Sequence, residues 1–300
     1  MDKGILLESG TNELEILEFM VGNNHYGINV AKVKEIIPYK KSTPVPNAHP
    51  FIEGIFMPRD YIITIVDLTK TLGLPQKEDT SQDMYIITYF NQINVAFHVD
   101  RVLGIHRVSW EDIKKPDATL NHAGNSVATG IVKLNDDLIL ILDFEKIVTD
   151  ISPETGLKVS DVEGKQNRQR VHKPILIAED SPLLSHLIHD SLIKSGYENI
   201  ITTMNGQEAW EKLNEFRDEE NLLDKVSLVI SDIEMPQMDG HRLTKLIKED
   251  PVLKQIPVVI FSSLINAEMR RKGESLGADA QLSKPEIGQL VDTLDKLLLK

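Results

Sequence analysis

The stretch Leu228-Val-Ile-Ser-Asp-Ile-Glu-Met-Pro-Gln-Met-Asp-Gly240 joins a short apolar run to a single carboxylate, Asp232, just before a turn. An apolar run of this length is typical of a strand buried in a parallel sheet, and Asp239-Gly240 is a turn signal. Ligands of open α/β sheets bind at the carboxyl ends of the strands, where Asp232 is expected to lie. Because aspartyl carboxylates act as nucleophiles in covalent phosphoryl transfer, Asp232 is a candidate phosphoryl acceptor.

Other apolar runs in the carboxyl-terminal half also end at polar residues. The run 174–178 is followed by an acidic pair, the run 257–261 by a hydroxyl residue, and the segment 277–285 carries a lysine before its final proline. The carboxyl ends of parallel strands open on one edge of the sheet. The sequence therefore predicts that five side chains converge at this edge, namely Glu179, Asp180, Asp232, Ser262 and Lys284.

Such a convergence of carboxylates predicts a bound cation. Two like charges about 4 Å apart repel each other by roughly 4 kcal/mol at an effective dielectric constant near 20. Mg²⁺ prefers oxygen ligands and is commonly held by one or two carboxylates together with phosphate oxygens. Lys284 and the cation would neutralise charge on the transferring group, while the Ser262 hydroxyl would hydrogen-bond a phosphoryl oxygen. The predicted Mg²⁺ ligands are Asp180, Asp232, the backbone carbonyl of Glu234, and Glu179 directly or through water.

Each of these residues has a simpler explanation when taken alone. Glu179 and Asp180 could merely precede a helix with Ser181 as its N-cap and Pro182 at its first position. A lone lysine such as Lys284 is usually a solvated surface charge. The order and spacing of polar residues after separate apolar runs favour the functional interpretation over these alternatives.

From about residue 173 to residue 300 the chain resembles a two-component response-regulator receiver domain. The resemblance rests on the acidic pair, the 231–240 run, the hydroxyl residue and the Lys-Pro pair. It implies a phosphohistidine donor on a partner kinase, Mg²⁺ dependence, self-catalysed loss of phosphate, and Asp232 as the acceptor. The chain departs from the family pattern at Gln281, where many receivers carry an aromatic residue that reorients on phosphorylation, and at Ser263, a place often filled by alanine.

Length and composition limit the class of protein. The chain has 300 residues, of which 41% are hydrophobic and 26% charged, which suits two soluble globular domains. A net charge of −13 disfavours nucleic-acid binding, which depends on basic patches. No apolar run approaches the roughly 20 residues of a membrane span, the first residues do not resemble a signal peptide, and cysteine is absent. We therefore expect a cytoplasmic protein with no direct membrane insertion.

The amino-terminal half has the pattern of an all-β domain. Short runs rich in β-branched and aromatic residues alternate with glycine, proline and asparagine turns, as in a barrel or a pair of barrels. Its histidines show no metal-ligand spacing, and no nucleophile and base are grouped there. The predicted division is a β domain at 12–150, a polar linker at 151–172 and an α/β domain at 173–300. The predicted strands lie within residues 13–21, 26–30, 61–67, 84–90, 93–99 and 138–143.

This half resembles the CheW-like chemotaxis coupling domain. The resemblance is spread over residues 26–37, 52–55, 63–68, 99–105 and 130–132. It implies two small β-barrels that bridge the cytoplasmic tips of chemoreceptors to a regulatory domain of the chemotaxis histidine kinase. It also implies partner contacts at Arg59, Ile36 and Ile37, although a core role for both isoleucines fits equally well. Residues 57–60, Met-Pro-Arg-Asp, replace the more usual Leu-Arg-Gly.

A coupling domain followed by a receiver resembles the CheV-type hybrid chemotaxis adaptors over nearly the whole chain. The leading prediction is a non-enzymatic adaptor at membrane receptor arrays, whose coupling of chemoreceptors to the kinase is modulated by phosphorylation of Asp232. One alternative is a phosphate sink that drains the kinase. A metal-dependent phosphatase is disfavoured, because Glu234 stands where haloacid-dehalogenase-like enzymes place a second aspartate.

Overall fold

The computed structural model describes residues 11–58, 60–91, 93–116, 127–153, 171–284 and 286–299. The chain divides into two compact units. The β unit is Leu14–Pro153, and the α/β unit combines Met1–Glu13 with Glu154–Lys300. Within the described ranges, no helix is both long and apolar enough to cross a membrane.

The β unit is built from two five-stranded sheets, as the all-β prediction requires. In chain order its strands and helices are β1 (Glu13–Val21), β2 (Asn24–Asn29), β3 (Val33–Pro38), β4 (Ile52–Phe56), β5 (Ile63–Asp67), α1 (Leu68–Thr71), β6 (Met84–Phe90), β7 (Ile93–Val99), β8 (Arg101–Ser109), β9 (Ala128–Leu134), β10 (Asp137–Leu142) and α2 (Phe144–Ile151). The first sheet has the order β8-β1-β2-β10-β9 and the second the order β3-β6-β7-β5-β4.

Hairpins and long-range parallel pairs together close the β unit. Gly22 adopts a left-handed φ of 63° in the β1–β2 turn, a conformation that glycine reaches without steric cost. β2 pairs in parallel with β10, and β5 with β7, so each sheet also joins strands that are distant in sequence. Phe144 at the start of α2 packs against Phe97 of β7 and Phe19 of β1, with ring centroids 3.9 Å and 6.0 Å apart. The aromatic cluster therefore ties both sheets to α2.

A charged network lies beside this core. His98 Nδ1 is 2.6 Å from Glu53 Oε2, and His98 Nε2 is 2.9 Å from Asp83 Oδ2. With a carboxylate at each ring nitrogen, both nitrogens donate, as only the imidazolium can. Burial alone lowers the pKa of His98, but the hydrogen bonds and charges of Glu53 and Asp83 outweigh burial and raise that pKa above its ordinary value. Lys77 also reaches Asp83, so the buried carboxylates are paired.

We expect His98→Gln to reduce the unfolding free energy of the β unit by up to about 3 kcal/mol at pH 6, because it leaves partly buried carboxylates without their cation. The folded pKa of His98 is raised, so its contribution is fully present below the unfolded value of about 6.5 and is lost as pH rises through the folded value. The difference between variant and parent should therefore shrink by pH 9. Urea unfolding in a Trp210→Phe background, where Trp110 alone reports, measures it.

The matched control is His49→Gln, which alters an exposed histidine of the same unit. It should leave the unfolding free energy nearly unchanged at both pH values. A loss on His98→Gln that is the same at pH 6 and pH 9 would show that the imidazolium charge contributes nothing.

The α/β unit is a doubly wound parallel sheet, which confirms the predicted receiver-like fold. Its strands have the order β12-β11-β13-β14-β15, and every pair is parallel. Buried clusters lie on both faces of the sheet. In chain order the elements are β11 (Ile175–Ala178), α3 (Pro182–Lys194), β12 (Ile200–Thr203), α4 (Gly206–Phe216), α5 (Leu222–Lys225), β13 (Leu228–Ser231), α6 (Gly240–Glu249), β14 (Val258–Ser262), α7 (Ala267–Ser275), β15 (Ala280–Ser283) and α8 (Ile287–Leu298).

Four helices of this unit, α3, α4, α6 and α7, start at polar side chains that cap them. Ser181 Oγ accepts the Leu184 N–H at the start of α3, and Pro182 occupies the first turn, as the structural alternative for this segment predicted. Asn205 and Asp239 cap α4 and α6 in the same way. Capping and the acidic pair before α3 are compatible, because Glu179 and Asp180 precede the cap. The strand order reverses at β11 and β13, which places the ligand crevice at the carboxyl ends of these two strands.

Candidate functional site

The acidic residues lie at the carboxyl ends of the two central strands. Ala178 of β11 pairs with Ser231 of β13, so Glu179 and Asp232 leave the sheet at the same level. The Asp232 N–H donates to the Ala178 carbonyl at 3.0 Å, and the Glu179 N–H donates to the Thr203 carbonyl at 3.1 Å. Ladder bonds continue past the last strand residues and fix both backbones. Sheet register alone therefore brings the acidic pair beside the candidate acceptor.

Lys284 lies in the same site, 52 residues further along the chain from Asp232. Its Nζ is 2.8 Å from Asp232 Oδ2 and 3.0 Å from Glu179 Oε2. The Lys284 N–H donates to the Ser262 carbonyl at 3.2 Å, which extends the β14–β15 pairing by one residue. All three charged groups are buried, with 6% or less of their surface exposed. A buried lysine between two carboxylates is a charge-assisted contact and not a solvated surface group.

The charge of this cluster is not balanced by Lys284 alone. One oxygen each from Glu179, Asp180 and Asp232 lie within 4.8 Å of one another. Burial raises the pKa of Glu179, the charge of Lys284 lowers it, and the charges of Asp232 and Asp180 raise it further. Three carboxylates and one ammonium sum to −2 when all are ionised, and every donor is a hard oxygen. This donor set suits a hard divalent cation such as Mg²⁺.

Ser262 and Glu234 lie at or just beyond the carboxyl ends of two strands of this sheet. Ser262 is the fully buried last residue of β14, and its Oγ accepts the Leu264 N–H at 3.3 Å. Glu234 lies in the loop two residues beyond Asp232 and is half-buried. Their roles as phosphoryl donor and carbonyl ligand stay predictions.

Two family models match this chain. The CheW-like domain matches residues 15–152, and the response regulator receiver domain matches residues 175–295. Chemotaxis protein CheV3 of Helicobacter pylori is 30% identical over 302 residues, which cover 96% of this chain and 96% of that protein. The chain belongs to the CheV family.

Other relatives agree with this assignment. Chemotaxis protein CheV1 of Helicobacter pylori is 26% identical to this CheV-family chain and covers 91% of it. Chemotaxis protein CheW of Thermotoga maritima is 30% identical over 50% of this chain and 98% of its own length. The predicted combination of a CheW-like domain with a receiver domain is confirmed. Proteins of the CheV type are chemotaxis adaptors and not classical enzymes.

The loop after the acceptor is more constrained in this CheV-family chain than a turn signal indicates. The Gly240 N–H donates to the Ile233 carbonyl at 2.9 Å, and a Cβ on Gly240 would lie 1.8 Å from the Asp232 carbonyl oxygen. Only glycine lets α6 begin so close to the acceptor strand. Asp239 caps α6 by accepting the Arg242 N–H, and its burial raises its pKa to about 6. The sequence pattern predicted a turn at Asp239-Gly240 but not the close approach of α6 to the Asp232 backbone. The only sequence signal for that approach is the glycine at position 240.

Gln281 stands where many receivers carry an aromatic side chain, and its amide hydrogen-bonds the neighbouring helix instead. It is buried, and its Nε2 donates to the Arg270 carbonyl of α7 at 2.8 Å. A Cβ on Gly273 of α7 would lie 2.3 Å from Gln281 Oε1, so the amide fills the space that this glycine leaves. Gln281 therefore links β15 to α7 through a hydrogen bond that an aromatic ring could not make.

The three predicted partner contacts of the CheW-like domain fare differently. Ile36 and Ile37 both lie on the edge strand β3 and are half-buried. Ile36 packs against the main β-unit cluster, and Ile37 packs against a second cluster that includes Ile63 and Tyr85. Arg59 lies outside the described residues. The isoleucines thus contribute to the core, and their contact with a partner stays a prediction.

We expect Gly240→Ala to lower the unfolding free energy of the α/β unit by about 3 kcal/mol or more, because a methyl group there overlaps backbone atoms of Asp232. Urea unfolding in a Trp110→Phe background, with Trp210 as reporter, measures the loss. The control is Gly277→Ala, where the nearest atom to a Cβ is 3.3 Å away and only the left-handed φ of 85° is strained. That change should cost about 1 kcal/mol. Equal losses for the two variants would contradict the close approach.

Proposed function

We propose that this chain is an adaptor in which the β unit couples chemoreceptor tips to the chemotaxis histidine kinase, and phosphorylation of Asp232 sets the strength of that coupling. The observation that supports it is the contact of Lys284 with Asp232 beside Glu179 and Asp180, in a chain that also carries a CheW-like domain. The proposed setting is the cytoplasm at membrane receptor arrays. The proposed division stays 12–150 for the coupling domain, 151–172 for the linker and 173–300 for the receiver, although residues 12 and 13 group with the α/β unit by their contacts.

Asp232 is poised for phosphoryl transfer by the groups that hold its carboxylate. Its Oδ1 accepts the Ile233 N–H at 2.7 Å, and its Oδ2 contacts the Lys284 ammonium at 2.8 Å. In the proposed step an Asp232 oxygen attacks the phosphorus of a phosphohistidine, the P–N bond breaks, and the leaving imidazole takes up a proton. The Lys284 ammonium then contacts the negatively charged phosphoryl oxygens, and the Ser262 hydroxyl donates a hydrogen bond to one of them.

A cation fits the remaining charge of the site. Mg²⁺ bound by Asp180 and Asp232, with Glu179 and the Glu234 carbonyl, would supply positive charge to the transferring phosphoryl group. The chain's own residues do the rest, because Glu179 orients Lys284 and β-sheet register fixes Asp232. Loss of phosphate by hydrolysis at the same site is self-catalysed in this proposal.

Mg²⁺ binding should depend on Asp180. Asp180→Asn should weaken Mg²⁺ binding at least about tenfold, because it removes one of the three clustered carboxylates. Titration of the full-length protein with Mg²⁺, followed by the amide resonances of Ile233 and Lys284, gives the affinity. Asp190→Asn is the control, because Asp190 lies on α3 and pairs with His186 outside the cluster. Equal Mg²⁺ affinity for the parent and Asp180→Asn would exclude this site.

Phosphorylation should depend on Asp232. Asp232→Asn should abolish Mg²⁺-dependent phosphorylation by the kinase, since an amide oxygen is a poor nucleophile, while the exposed Asp224→Asn control should label normally. The parent and Asp232→Asn are then compared as the sole coupler in receptor-containing membranes. Both should support kinase activity under receptor control, but the attractant sensitivity of that activity should differ between them.

The outcomes of this assay separate the candidate functions. Persistent labelling of Asp232→Asn would refute the acceptor assignment. If no variant couples receptors to the kinase, the role of the β unit is wrong and a phosphate sink becomes the better proposal. A sink further requires that the Asp232 phosphate turns over faster than the signal, which the decay of labelled protein measures directly.

A further inference from the structure

A side chain from the segment that precedes β1 is hydrogen-bonded to the loop between β13 and α6. Asn12 belongs to the α/β unit and is buried, with 8% of its surface exposed. Its Nδ2 donates to the Gln237 carbonyl at 2.8 Å, and its Oδ1 accepts the Asp239 N–H at 3.0 Å. More than two hundred residues of chain separate these partners. The amide therefore serves the loop as a peptide group of a neighbouring strand would.

The loop that Asn12 holds connects the candidate acceptor to α6. Gln237 has a left-handed φ of 68°, which is unusual for a residue other than glycine and persists only where surrounding contacts hold it. The Met238 carbonyl accepts the Gly206 N–H at 3.2 Å, so the neighbouring carbonyl is held from α4. Asn12 hydrogen-bonds the backbone groups on either side of Met238, namely the Gln237 carbonyl and the Asp239 N–H. The backbone of residues 237–239 is thus fixed from two directions.

The residue type at position 12 matches this task. Asn12 has a left-handed φ of 66°, and asparagine tolerates that conformation better than other residues with side chains. Its short planar amide offers a donor and an acceptor on adjacent atoms, as a peptide group does. Asp239, whose N–H it binds, is also the cap of α6. Loss of the Asn12 amide leaves a buried backbone N–H unpaired beside the acceptor site.

Chain connectivity gives this contact a direction. Glu13, the residue after Asn12, is the first residue of β1, and Leu14 begins the β unit. We propose that Asn12 is a positioning residue that fixes the 237–239 backbone next to Asp232 and relays a change at the phosphorylated acceptor into β1. This inference rests on the proposed function, because it names the route by which phosphorylation reaches the coupling domain.

The test uses three forms of the full-length protein, namely the parent, Asn12→Gly and Asn47→Gly. Asn12→Gly removes the amide but keeps the left-handed φ accessible. Asn47→Gly is the matched control, because Asn47 also has a left-handed φ, of 58°, and is exposed in the β unit. Hydrogen exchange by mass spectrometry is followed in peptides that contain residues 233–239 and 13–21, before and after phosphorylation with phosphoramidate and Mg²⁺.

Two results are expected. Before phosphorylation, exchange at the Asp239 amide should be about tenfold faster in Asn12→Gly than in the parent and unchanged in Asn47→Gly. After phosphorylation, β1 should change its exchange in the parent and in Asn47→Gly but not in Asn12→Gly. A residue with a merely structural role would alter the first result and leave the second intact.

Other outcomes overturn the proposal. Unchanged exchange at Asp239 in Asn12→Gly removes the positioning role, and a β1 response that is absent from the parent or survives in Asn12→Gly removes the relay. If Asn12→Gly does not fold, Asn12→Asp replaces it and the β1 response alone decides, because the carboxylate keeps the acceptor for the Asp239 N–H and loses only the donor to the Gln237 carbonyl. Failure of the proposed function looks different: the parent takes up no phosphate at Asp232, while the exchange of the unphosphorylated protein still decides whether Asn12 holds the loop.

Discussion

The ammonium group of Lys284 is the contact on which the candidate acceptor site depends. The register of β11 and β13 places Glu179 and Asp232 side by side, and both are buried. One oxygen from each carboxylate lies within 4.8 Å of the other, and ionised carboxylates that close repel strongly in a medium of low dielectric. Lys284 lies 2.8 Å and 3.0 Å from these two groups, and the β15 strand that delivers it is paired to β14 up to its last residue. The pairing of β15 with β14 therefore places Lys284 at the site. The charge of Lys284 in turn stabilises the two carboxylates that the pairing of β11 with β13 brings together.

The same problem is solved differently in the β unit. There a histidine lies between Glu53 and Asp83, and Lys77 adds a second cation at the rim. No acidic excess comparable to the acceptor cluster results, because each described carboxylate of that network faces a cationic partner or a hydroxyl donor. This arrangement stabilises a core, whereas the acceptor site keeps surplus negative charge. A surplus of this kind suits the hard divalent cation proposed for this site.

Sequence alone predicted that Glu179, Asp180, Asp232 and Lys284 lie together, and the reason is topological. Glu179, Asp232 and Ser262 each follow an apolar run, and a parallel sheet converts that pattern into proximity. Close approaches between backbones were not predictable in this way. Gly240 looks like any turn glycine until α6 is placed against the Asp232 carbonyl, and the amide of Asn12 meets Asp239 only through tertiary structure. In the β unit six of the ten described strands were recognisable from β-branched and aromatic residues, whereas β3, β4, β8 and β9 were not predicted as strands, and nothing local specified that β2 pairs with β10.

That last pairing governs how the polypeptide matures. β2 ends at Asn29, and its parallel partner β10 begins at Asp137, so more than a hundred residues must leave the ribosome before the first sheet can close. At roughly 5–20 residues per second, the β2 edge of the amino-terminal hairpin waits about 5–20 seconds for β10, and its β1 edge waits for β8. Folds rich in such distant contacts also fold slowly once synthesis is complete. Until then the unpaired edges of the nascent β1–β2 hairpin are potential aggregation sites.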